Sequence, residues 1–92
     1  MAEITEATIG KINQAVGEAL ILVPGEATII LATVVSGYTE LVSLNPSNSS
    51  YLDRLCATLF TLAEFLMEHG RHNLARQLIV LRDEVLKSCA SD

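Results

Sequence analysis

Read at the helical period of about 100° per residue, the apolar residues of this chain gather on one side in four successive segments. Helix breakers separate those segments: Pro24-Gly25, the run Asn45-Pro46-Ser47-Asn48-Ser49-Ser50, and Gly70. This alternation of periodic segment and breaker confines the chain to an all-α fold.

The first segment covers residues 5–22, where Ile9, Ile12, Val16, Ala19, Leu20 and the following Val23 fall together and Lys11, Gln14 and Glu18 lie opposite. Gly10 and Gly17 stand beside this stripe; they either admit a close neighbour or simply weaken the helix. Pro24 disfavours helical geometry at Val23, and Gly25 suits a turn. So short a connection makes the first two helices antiparallel neighbours.

The second segment, residues 26–44, is rich in Ile, Val and Thr, and its Ser36-Gly37 would suit a β-hairpin. Periodicity favours a helix: Ala27, Ile30, Leu31, Val34, Val35, Tyr38, Leu41 and Val42 share an arc of roughly 140° and are expected to face the core. The other face carries Thr28, Ile29, Ala32, Thr33, Ser36, Thr39 and Ser43, with Glu40 as its only charge. Surface helices ordinarily place charges there, so this face is expected to meet another chain.

Residues 45–50 form a loop, and Ser50 with Asp53 reads as a capping-box variant opening a third helix over 51–69. Its apolar face is Leu52, Leu55, Cys56, Leu59, Leu62, Ala63, Leu66 and Met67, with Phe65 on the polar side. Gly70 suits a left-handed stop and Asn73 a cap for a fourth helix over 72–88. Leu74, Ala75, Leu78, Ile79, Leu81, Val85 and Leu86 point inward there, while Val80 stands among outward Arg76, Gln77, Asp83, Glu84 and Lys87. Residues 89–92 are expected to be a loose tail carrying the Cys89 thiol. The whole, residues 1–92, reads as a single domain of two antiparallel hairpins, four-helix-bundle-like and completed by oligomerisation.

The last hairpin is similar to one tetratricopeptide unit at Leu59, Leu62, Ala63, Leu66, Gly70, Ala75 and Ile79. It departs from that pattern at Arg82 and Lys87, and a single unit is fewer than such arrays need. The likeness is the geometry shared by tight helical hairpins, not family membership.

Composition narrows the function. A net charge of −5 excludes phosphate neutralisation as a binding mode, and with it nucleic acid. Half of the residues are hydrophobic, 18% are charged and the mean hydropathy is +0.40, apolar for a chain whose surface dominates its volume. The longest run without a charge, residues 27–39, is too short to span a bilayer and reads as a buried helix. The acidic start lacks the positive charge of a signal peptide, and Cys56 and Cys89 make no disulfide scaffold, so a cytoplasmic setting is expected.

No pattern predicts catalysis. Glu68, His69 and His72 lack metalloprotease spacing, with Gly70 between the histidines, so neither metal nor cofactor is expected. Cys56 lies on an apolar face, where a thiol is inert packing. Glu64 and Glu68 lie four apart on a helix surface, the ordinary arrangement of a solvated face. Arg71, His72, Asn73 and Arg76 cluster where a helix start favours anions. The expected function is therefore a non-enzymatic protein–protein interaction module, an adaptor, regulator or inhibitor acting as a homo-oligomer. Its candidate interface is Thr28, Ile29, Ala32, Thr33, Ser36, Ser43, Phe65 and Val80. The alternative is a helical oligomer that captures an anionic small molecule, such as a nucleotide, at Arg71, His72, Asn73 and Arg76.

Overall fold

A computed structural model describes residues 4–90, with side chains up to residue 88. The described residues form four helices and no strand: α1 (Glu6–Leu22), α2 (Glu26–Leu44), α3 (Ser49–Glu68) and α4 (His72–Ala90). The hairpin alternative for the second segment is thereby excluded.

Each boundary has a local cause. The Thr5 hydroxyl oxygen accepts the Thr8 N–H at 3.1 Å and opens α1, with Glu6 in the first turn. Gly25 precedes α2 at φ +151, a backbone conformation that side chains resist. The cap of α3 is Asn48, whose Oδ1 accepts the Tyr51 N–H at 3.1 Å, so the expected capping Ser50 is already helical. At the other end of α3, Gly70 takes φ +76, its N–H donates to Met67 O at 3.0 Å, and the Arg71 N–H donates to Leu66 O at 2.8 Å. These two bonds are the Schellman closure that a left-handed glycine permits. Arg71 O then accepts the Ala75 N–H at 3.1 Å, which starts α4 at His72 and leaves Asn73 inside the helix instead of capping it. Helix α4 continues to Ala90, beyond the expected end at 88; the Cys89 thiol and the final residues of the expected tail lie outside what is described.

The helices follow one another in a ring. α3 packs along α4 and α2, α1 packs along α4 and α2, and the diagonal pairs scarcely touch. The result measures 37 × 20 × 19 Å. At its centre Ile12, Val35, Val42, Leu55, Leu59, Leu62, Leu66, Leu78 and Val85 are fully enclosed. Lys11 Nζ and Glu84 Oε1, 3.7 Å apart, add an ion pair between α1 and α4.

Helix α2 is turned from its expected orientation. Its buried residues are Thr28, Ala32, Val35, Thr39 and Val42, whereas Ala27, Ile30 and Val34, expected inside, are exposed. The reason lies in size and hydrogen bonding. Small residues let α2 approach its neighbours closely, where Ile30 and Val34 would hold them apart. Thr39 satisfies its hydroxyl on Val35 O at 2.7 Å, so its burial leaves no orphaned donor. Thr28 differs: at 1% exposure its hydroxyl has no partner among the described residues. By length and composition alone α2, with a hydropathy of 1.5, is also long and apolar enough to cross a membrane, unlike its charge-free stretch taken by itself. Only 28% of that helix window is buried within the chain.

Candidate interaction surface

The turned α2 leaves apolar side chains on the outside of the ring, and two observations fix where. Ser36, Thr39 and Ser43 face Ile9 and Asn13 of α1 across a groove of about 480 Å³. The opposite flank of α2, with Leu31, Val34 and Tyr38, therefore lies toward α3. On α3, the Arg82 guanidinium of α4 sits 5.1 Å above the Phe60 ring. The flank bearing Tyr51, Thr58 and Phe65 is consequently the one beside α2.

Two stripes run along this α2–α3 seam. On α2 the positions are Ala27, Ile30, Val34, Gly37 and Leu41, spaced 3-4-3-4. On α3 they are Arg54, Thr58, Thr61, Phe65 and Glu68, spaced 4-3-4-3. Both are the spacing with which one helix presents a continuous ridge to another. Ile30 is 56% and Val34 37% exposed, while Leu41, Thr58 and Phe65 are half-buried. The threonine hydroxyls of the seam are already satisfied, Thr58 on Leu55 O and Thr61 on Ala57 O, both at 2.9 Å. Covering this surface would strand neither of them. Phe65 packs against the core and against His69, ring centroids 4.3 Å apart, while His69 Nδ1 donates to Phe65 O at 2.9 Å.

The residues expected at an interface are dispersed. Thr28 and Ala32 are buried within the chain and unavailable to a partner, a direct result of the rotation of α2. Ile29 and Thr33 are exposed, with the Thr33 hydroxyl donating to Ile29 O at 2.8 Å. Ser36 and Ser43 line the groove toward α1. Phe65 and Val80 do not share a patch. Phe65 belongs to the α2–α3 seam, and Val80, 52% exposed, lines the α1–α4 groove on the far side of the ring.

The expected anion cluster divides in the same way. Arg76 and Asn73 face the α1–α4 groove, about 340 Å³, with Lys11, Gln14 and Glu84. Arg71 and His72 border a second hollow beside Leu22, which Asn73 also lines, and the Arg71 guanidinium donates to Leu22 O at 3.3 Å. Glu68, His69 and His72 do not converge, and among the described residues no three His, Cys, Asp or Glu side chains group as a metal site. Cys56 is buried in the core. Sequence reasoning missed Ile30, Val34, Leu41, Arg54 and Thr61; their signal was the heptad spacing shared by the two adjacent stripes.

Compared with protein-family models, characterised proteins and solved structures, the chain matches none of them.

Proposed function

We propose that this chain is a non-enzymatic helical interaction module that works as a homo-oligomer, with the α2–α3 seam as its contact surface. The observation that carries the reading is the exposure of Ile30 and Val34 on a helix with no Lys or Arg. Burying such a side chain from full exposure contributes roughly 1.5–3 kcal/mol, and covering what remains open of Ile30 and Val34 contributes the corresponding fraction of that. Self-association would also complete the bundle as a stable unit, since a chain of this length encloses a limited core.

A bilayer is the competing cover for α2, favoured by its length and hydropathy. Charge argues against α2 lying on a bilayer surface. Membrane-surface helices carry Lys and Arg beside their apolar face. Here the one base before residue 51 is Lys11, and it is paired with Glu84 on another side of the ring. The anionic-ligand alternative has weaker support, because its cations are divided: Arg71 and His72 border one hollow and Arg76 the other, with Asn73 lining both.

Light scattering across a dilution series tests the proposal. The expected result is a mass of two or more chains that falls to one with Val34→Glu and is unchanged by Ser36→Arg. A strictly monomeric parent chain at high micromolar concentration defeats it. Flotation with neutral lipid vesicles would instead assign α2 to a membrane.

A further inference from the structure

The geometry points to one arrangement of the seam: a second copy of this chain, related by a two-fold axis through the Thr61 region, docks antiparallel so that Arg54 of each chain meets Glu68 of the other. This inference rests on the seam reading above and adds its partner and its register.

The evidence is the distribution of charge along the seam. Arg54 and Glu68 terminate the α3 stripe, fourteen positions apart with Thr61 midway. At about 1.5 Å per residue they are separated by roughly 21 Å. Both are exposed, and neither has an ion-pair partner among the described residues. Since α2 follows α3 antiparallel, its start brings Glu26 to the Glu68 end, and α2 brings no base to either end. Arg71 is also near that end, but its guanidinium is directed to Leu22 on the α1 side. Between the charged ends the stripes carry only apolar residues, glycine and threonine whose hydroxyls are bonded within the chain.

One end of the seam is thus basic, the other acidic, and the middle uncharged. A surface of that kind is complementary to itself only when turned end for end. Parallel docking would stack Arg54 on Arg54 and Glu68 on Glu68. A two-fold axis across the helices instead creates both unlike pairs at once, which is the isologous contact that closes as a dimer. Charges placed this way select orientation and register more than they add affinity.

Charge reversal in two separate chains provides the test. In Arg54→Glu homodimers two acid–acid contacts replace the two pairs, and in Glu68→Arg homodimers two base–base contacts do. Each variant should dimerise about tenfold more weakly than the parent at low salt. When the two are mixed, the heterodimer recovers both unlike pairs, so native mass spectrometry should show a 1:1 heterodimer in excess over either homodimer. The doubly reversed chain should return to within about threefold of the parent constant, and salt near 1 M should compress all of these differences. Within a chain the two sites are farther apart than the screening length of about 8 Å at physiological ionic strength, so recovery in the mixture is intermolecular. Circular dichroism should show that the exposed substitutions leave the fold intact. If Val34→Glu dissociates the parent dimer while the charge variants show no weakening, or weaken without recovery on mixing, the register is overturned and the seam stands. A monomeric parent chain, or a dimer insensitive to Val34→Glu, removes the seam and the register together.

Discussion

The side chain of Arg71 donates to the carbonyl of Leu22 across 3.3 Å, joining residues forty-nine apart in the chain. The same residue closes α3 with its N–H and starts α4 with its carbonyl. Leu22 is the last residue of α1, whose final carbonyls have no partner within their own helix. One residue thus ties three helix ends together, and a cation at a helix C-terminus also opposes the negative end of the dipole. A side chain that looks like an anion ligand in sequence here stabilises the fold.

Replacing Arg71 with alanine should therefore lower stability slightly, by about 0.5–1 kcal/mol, because the bond is exposed while the backbone roles persist. Arg76→Ala, on the solvated side of the α1–α4 groove, should be neutral. Urea titrations of the two variants side by side provide the check; equal midpoints would mean that the Leu22 contact contributes nothing.

Thr28→Val should stabilise the protein by about 1 kcal/mol. The hydroxyl is enclosed without a partner among the described residues, and valine has nearly the same shape without the polar atom. A rise in melting temperature is expected, and a fall would show that the hydroxyl finds a partner in solution.

The glycines divide by backbone geometry. Gly10→Ala and Gly17→Ala lie within α1 with nothing within 4 Å of the added methyl, so each should stabilise by up to about 1 kcal/mol. Neither glycine serves a close helix approach. Gly70→Ala should destabilise by about 1 kcal/mol, because φ +76 at the Schellman closure opposes a side chain. Thermal melts of the three variants should show opposite signs.

Leu62→Ala removes a fully enclosed side chain from the middle of α3 and should cost about 2–5 kcal/mol. Domains of this size are stable by only about 5–15 kcal/mol, so a broad or early thermal transition is expected by circular dichroism. A variant that melts with the parent would show that the ring centre is not well packed.

The four helices were legible because breakers and apolar period agree. Leu55, Leu59, Leu62 and Leu66 repeat as the wheel requires, and all are enclosed. The orientation of α2 was not legible. Apolar side chains cover an arc wider than its two neighbours can bury, and hydrophobicity alone ranks Ile30 above Thr28. Close approach and hydrogen bonds to the helix's own backbone reverse that order, and neither is written in hydropathy. The cap of α3 was misassigned for a related reason: Asn48 and Ser50 are both good caps, and only the path of the loop selects Asn48. The seam was missed because half of it belongs to each of two helices, and Phe65 and Val80, both placed in the candidate interface, face opposite sides of the ring.

The closing contact of the ring lies between the first helix and the last. During synthesis α1 and α2 leave the ribosome before α3 and α4 exist to close the core beside them. Until then α2 shows water both its outer Ile30 and Val34 and its inner Val35 and Val42. At typical elongation rates of about 5–20 residues per second, that interval lasts seconds. A nascent chain in this state presents the long apolar helix that chaperones and membrane-targeting factors compete for, and closing the ring withdraws Val35 and Val42 while leaving Ile30 and Val34 outside.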